Sequence, residues 1–154
     1  MAEKSKVQQK EKYKAESKES KTPVTFTDKD QLIAVIRLRG TARVPGIIAD
    51  TLQMLNLHLK NYCSVYKDTP SIRGMLMKVK DYVTYGTIDY AMYKELVSKH
   101  GEQDVRKGGM KKFFRLNPPR KGFGRRGIKV SFAQSGALGD RKDKMADLIK
   151  RMLK

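Results

Sequence analysis

Thr69-Pro-Ser-Ile-Arg-Gly-Met-Leu-Met-Lys-Val79 is the stretch of this chain whose conformation is easiest to read. Thr69 suits the position before a helix, where a hydroxyl oxygen can accept from a free backbone N–H. Pro70 suits the first helical position, where its missing N–H costs nothing. Ile72, Met75, Leu76 and Val79 then recur at i, i+3, i+4 and i+7, forming one apolar stripe. On either side lie short runs of strand formers, Tyr62–Tyr66 and Tyr82–Tyr85, the second expected to close at Gly86. A helix between two strands must bury its stripe on the sheet those strands belong to.

Working outward, Leu32-Ile-Ala-Val-Ile36 is a buried strand. Pro45 can occupy the first turn of a helix over Gly46–Leu57, whose stripe is Ile48, Leu52 and Leu55. On the other side a helix is expected over Asp89–His100, with Lys99 and His100 at its negative end and Gly101 as C-cap. A last helix spans about Arg141–Leu153, capped by Asp140, with Met145, Leu148, Ile149 and Met152 on its apolar stripe. The order β-α-β-α-β with helices added behind it predicts an α+β domain with its core helices on one face of the sheet.

The charge is unevenly spread. The 154 residues carry a formal net charge of +18, with 34 Lys and Arg against 16 Asp and Glu. Residues 105–139 hold 10 basic residues and no acidic one. Gly, Pro, Asn and Phe separate these charges, a composition suited to an irregular arm rather than a solvated helix. Cations placed on phosphates release condensed counterions, so a polyanion partner is expected, with RNA preferred. Met1 to about Thr22 is rich in Lys, Glu, Gln and Ser. It is expected to be a flexible extension or one ordered by RNA.

Several classes of function find no support. Gly122-Phe-Gly124-Arg-Arg-Gly127 matches a dinucleotide-binding pattern in form. It does not follow a strand, is succeeded by Ile128–Phe132, which reads as extended, and lacks an acid at the required spacing. Its glycines instead suit close backbone approach to RNA. His58 and His100 have no companion ligands, so no metal is expected. Cys63, the single cysteine, rules out an internal disulfide and reads as a small core residue. The start lacks the apolar segment of a secretory signal, and no window could span a membrane. No cofactor, small-molecule substrate or catalytic residue is expected, and the chain is expected in the cytoplasm.

Three segments together resemble a known family. Ile36-Arg-Leu-Arg-Gly40, Lys67-Asp-Thr-Pro-Ser-Ile-Arg-Gly-Met-Leu-Met-Lys-Val-Lys80 and Phe114-Arg-Leu-Asn-Pro-Pro-Arg-Lys-Gly-Phe123 are similar to the large-subunit ribosomal protein family "L thirty", whose eukaryotic branch is called "L seven". Asp68-Thr-Pro-x-x-Arg-Gly-Met75 is the most specific of the three. The added helix, the arm and Gly136-Ala-Leu-Gly139 resemble the long archaeal and eukaryotic form. The resemblance implies a three-stranded sheet with strand 1 central and a non-enzymatic role in the large ribosomal subunit. It also implies rRNA contacts near the 5S rRNA and neighbouring ribosomal proteins as partners.

Residues 1–30 are thus read as an extension, 31–104 as the α+β core, 105–139 as a basic RNA-binding arm and 140–154 as a helix packed on the core. RNA contacts are expected from Arg39, Arg43, Arg73, Lys78, Lys80, Lys112, Arg115, Arg120, Lys121, Phe123, Arg125, Arg126 and Lys129. Of Phe113 and Phe114, one is expected to anchor the arm, because neighbouring strand residues face opposite sides. Pro118-Pro119 is expected to turn the arm outward. The alternative reading is an assembly factor or RNA chaperone not retained in the mature subunit.

Overall fold

A computed structural model describes residue 26 and residues 30–104 and 109–153; most of the expected N-terminal extension and residues 105–108 of the arm lie outside these. Strand β1 (Leu32–Arg37) is buried on both faces and forms the middle of the molecule. It pairs antiparallel with β2 (Tyr62–Lys67) through Ala34↔Val65 and with β3 (Val83–Ile88) through Ala34↔Gly86. The expected central position of strand 1 holds. Two short strands widen the sheet to the order β6-β2-β1-β3-β7. At one edge β6 (Phe114–Arg115) pairs antiparallel with β2, and at the other β7 (Gly139–Asp140) runs parallel to β3. A separate ribbon joins β4 (Gln103–Asp104) to β5 (Gly109–Met110).

The alternation of β1 divides the core in two. Ile33 and Val35 face helices α1 (Gly46–Met54) and α2 (Pro70–Val79), where they meet Leu52, Leu55, Leu76 and Val79. Leu32, Ala34 and Ile36 face the opposite way, towards α3 (Tyr90–His100) and α4 (Met145–Met152). The core helices therefore share one face as the pattern predicts, and the added helices cover the other. Met145, Leu148, Ile149 and Met152, the expected terminal stripe, are all fully buried.

Local chemistry explains several boundaries. The Thr69 hydroxyl accepts from the Ile72 N–H at 3.3 Å, the cap expected for α2. Pro45 takes the cap position of α1 rather than its first turn. Gly86 does not end β3 but lies inside it, and glycine is required there because a Cβ would strike the Lys142 carbonyl and lie 2.8 Å from the Met145 Cβ. Asp140 does not cap the last helix. It belongs to β7, its Oδ1 accepts from the Lys142 N–H at 2.8 Å, and a 3₁₀ turn over Lys142–Lys144 intervenes. Within Ile128–Phe132 only Val130 and Ser131 are extended, Ser131 bridging to Leu138, because 3₁₀ turns over Gly127–Lys129 and Phe132–Gln134 take the rest.

Candidate nucleic-acid interface

Two tetrapeptides shape the tip of the basic segment. The Gly122 N–H donates to the Pro119 carbonyl at 3.1 Å, closing a β-turn with Arg120 and Lys121 at its corners. The Gly127 N–H donates to the Gly124 carbonyl at 3.3 Å, closing a second turn with Arg125 and Arg126 at its corners. The φ angles of Lys121, Gly122 and Gly127 are +65°, +73° and +73°, so glycine here relieves backbone strain. Gly124 is small for another reason: a Cβ would stand 2.9 Å from the Gly136 carbonyl. Turn geometry and packing thus account for the glycines of the G-x-G-x-x-G match. All four corner side chains are exposed.

The segment is folded back onto the domain. Pro119 is buried instead of turning the chain outward, and the Arg120 N–H donates to the Arg151 carbonyl at 3.2 Å. Phe123, between the two turns, is half-buried against the core. Its carbonyl accepts from Arg141 Nη2 at 2.8 Å, and Arg141 Nε donates to the Thr84 hydroxyl at 3.0 Å. Arg141 is only 4% exposed. Burial, helped by the positive charge of Arg151, lowers its guanidinium to about 10, so it is still charged at neutral pH. Phe114 is the anchoring phenylalanine, buried opposite Cys63, whereas Phe113 is half-exposed and stacks on Tyr62 with centroids 4.8 Å apart.

The other expected contact residues fall into two classes, paired and unpaired. Arg73 forms a forked pair with Asp68, Nε to Oδ1 at 2.6 Å and Nη2 to Oδ2. That pair holds the Asp68 carboxyl below its ordinary range. Arg115 Nε lies 3.6 Å from Glu102, whose other oxygen holds Lys111 Nζ at 2.6 Å. Arg39 donates to the Asp81 carbonyl at 3.2 Å and lies over the Tyr82 ring. By contrast, no ion pair among the described residues involves Arg43, Lys78, Lys80, Lys112, Arg120, Lys121, Arg125, Arg126 or Lys129. All nine are exposed.

The three expected cations of α2 and its C-cap, Arg73, Lys78 and Lys80, do not share one face. At about 100° per residue, Arg73 and Lys80 lie about 20° apart while Lys78 lies about 140° from Arg73. Lys78 and Lys80 flank the helix from different sides of its buried stripe.

Lys144 and Arg151 were not among the expected contact residues. Both border an open cleft of about 440 Å³ beside the turns, together with Lys121, Arg125 and Arg141. No local pattern marks them, because α4 reaches the arm only through the fold. Among the described residues no group of His, Cys, Asp and Glu could hold a metal ion, and no helix is long and apolar enough to cross a membrane.

Comparison with known proteins agrees with this architecture. A family profile described as ribosomal protein L30p/L7e matches residues 33–83, which run from β1 into β3. The chain is similar to the large ribosomal subunit protein uL30 of Nanoarchaeum equitans, with 39% identity over 79% of this chain and 99% of that protein. It is similar to uL30 of Methanococcus maripaludis, with 38% identity over 78% and 98%. It is also similar to uL30 of Methanosphaera stadtmanae, with 34% identity over 79% and 100%.

Proposed function

The chain belongs to the ribosomal protein L30p/L7e family, and on that premise we propose that it pins large-subunit rRNA with its two basic turns. Membership makes it a structural constituent of the large ribosomal subunit, associated with the ribosome, and not an enzyme. The observation that carries the finer reading is the pair of turns Pro119–Gly122 and Gly124–Gly127. They present four exposed cations without a carboxylate partner among the described residues. Mutual repulsion of such charges costs stability in the free protein and is relieved when phosphates neutralise them.

Arg120, Arg125 and Arg126 suit forked phosphate contacts, and Lys121 adds a point charge. Lys112 and Lys129 add further contacts from residues 105–139, and Arg39, Arg43, Lys78 and Lys80 add contacts from the core domain. Arg73 and Arg115 join either surface only by exchanging their carboxylate partners for phosphate. Phe123 serves first as the anchor between the turns, with RNA contact confined to its exposed edge. Residues 105–139 act as the RNA-binding unit, 31–104 as its platform and 140–154 as its brace. Contact with rRNA near the 5S rRNA and with neighbouring large-subunit proteins completes the reading.

Retention on the particle tests it. Large subunits washed in high salt and sedimented through sucrose should keep the chain in stoichiometric amount. Its release into the supernatant fractions would favour the assembly-factor reading.

A further inference from the structure

The cleft between the turns and α4 has the makings of an rRNA site to which the C-terminal helix itself contributes. Its walls bring five cations, Lys121, Arg125, Arg141, Lys144 and Arg151, around one carboxylate, Asp147. None of the five forms an ion pair among the described residues. Arg141 forms the buried floor and spends its hydrogen bonds on Thr84, Phe123 and Ala137. Arg151 spans the cleft at one end, Nη1 donating to the Gly122 carbonyl at 3.3 Å. Lys121, Arg125 and Lys144 remain exposed, with no ion-pair partner among the described residues.

The position of Lys144 is the second observation. It occupies the cap position of α4, the positive end of the helix, where a cation is unfavourable. Its ammonium lies 5.9 Å from the Phe132 ring centre, and the Arg141 guanidinium lies 4.7 Å from it. A lysine there is unfavourable for the free protein, and a bound anion reverses the sign.

We infer that this cleft receives a backbone phosphate of the rRNA between Lys144 on one wall and Lys121 and Arg125 on the other. The sugar attached to that phosphate would lie against Phe132. The inference rests on the rRNA-binding reading above and adds α4 to the interface.

The test uses the full chain and purified large-subunit rRNA, with binding measured across a salt series. Lys144→Gln should weaken binding several-fold and lower the salt slope by about 1, the loss of one phosphate contact. Its melting temperature should stay equal to wild type or rise, so unfolding cannot explain the loss. Lys99→Gln, an equal charge change on α3, should leave binding unchanged. The inference is overturned if Lys144→Gln binds like wild type, or if Lys99→Gln loses as much. A wild-type chain that shows no salt-dependent binding at all would instead overturn the rRNA reading on which the inference rests.

Discussion

Arg37 and Arg141 carry the same guanidinium as Arg120, Arg125 and Arg126 but serve the opposite purpose. Arg37 is 4% exposed and donates to the carbonyls of Arg39, Gly40, Leu57 and His58, at 2.7–3.0 Å. Arg141 likewise ties Phe123 and Ala137 to Thr84. No shared sequence pattern marks these two as buried, since Arg37 lies between Ile36 and Leu38 whereas Arg141 lies between Asp140 and Lys142. Only the fold decides which donors meet carbonyls and which meet solvent. Small residues show the same dependence on context. Gly136 is buried, and a Cβ there would strike the Val130 carbonyl. Gly136→Ala should therefore destabilise the chain by about 2–3 kcal/mol, read as a lowered denaturant midpoint. A midpoint equal to wild type would mean that the 130–136 loop shifts freely.

At the scale of elements, what was legible follows from periodicity and caps. The stripe of α2, its Thr69 cap and its Pro70 start were all readable, because each is a local pattern with a local cause. The two-residue strands β6 and β7 were not, because so short a strand has no period to detect. They exist only where the edges of β2 and β3 offer unpaired backbone groups. The corner turns were half legible: glycines and cations were visible, but their assignment to Pro119–Gly122 and Gly124–Gly127 needed the hydrogen bonds. Burial within the α2 stripe is also graded. Leu76 is 1% exposed, whereas Ile72 is only partly buried. Leu76→Ala should cost about 2–5 kcal/mol in chemical unfolding, and Ile72→Ala less. Equal costs would mean that α2 sits more deeply than its burial pattern indicates.

For the whole molecule, the two faces of the sheet and the charge distribution work together. Helices α1 and α2 cover one face and α3 and α4 the other, so the sheet is a rigid middle layer. The 10 cations and no acids of residues 105–139 are read directly from the sequence, and they mark the segment proposed to meet rRNA. What the sequence did not convey is that this segment is part of the packed domain. It enters through β6, leaves through β7 and is bonded to Arg141 and Arg151 on the way. Removing residues 118–127 would therefore take away the carbonyls of Phe123 and Gly122, partners of those two arginines, along with the charges. Neutralisation separates the two effects. The decisive measurement is the salt dependence of binding to purified large-subunit rRNA for the combined variant Arg120→Gln, Lys121→Gln, Arg125→Gln and Arg126→Gln. The expected result is a folded chain by circular dichroism, with much weaker binding and a slope of log affinity against log salt reduced by about 4, one for each lost phosphate contact. A folded variant whose affinity and slope match wild type would contradict the assignment of the rRNA contacts to the two turns.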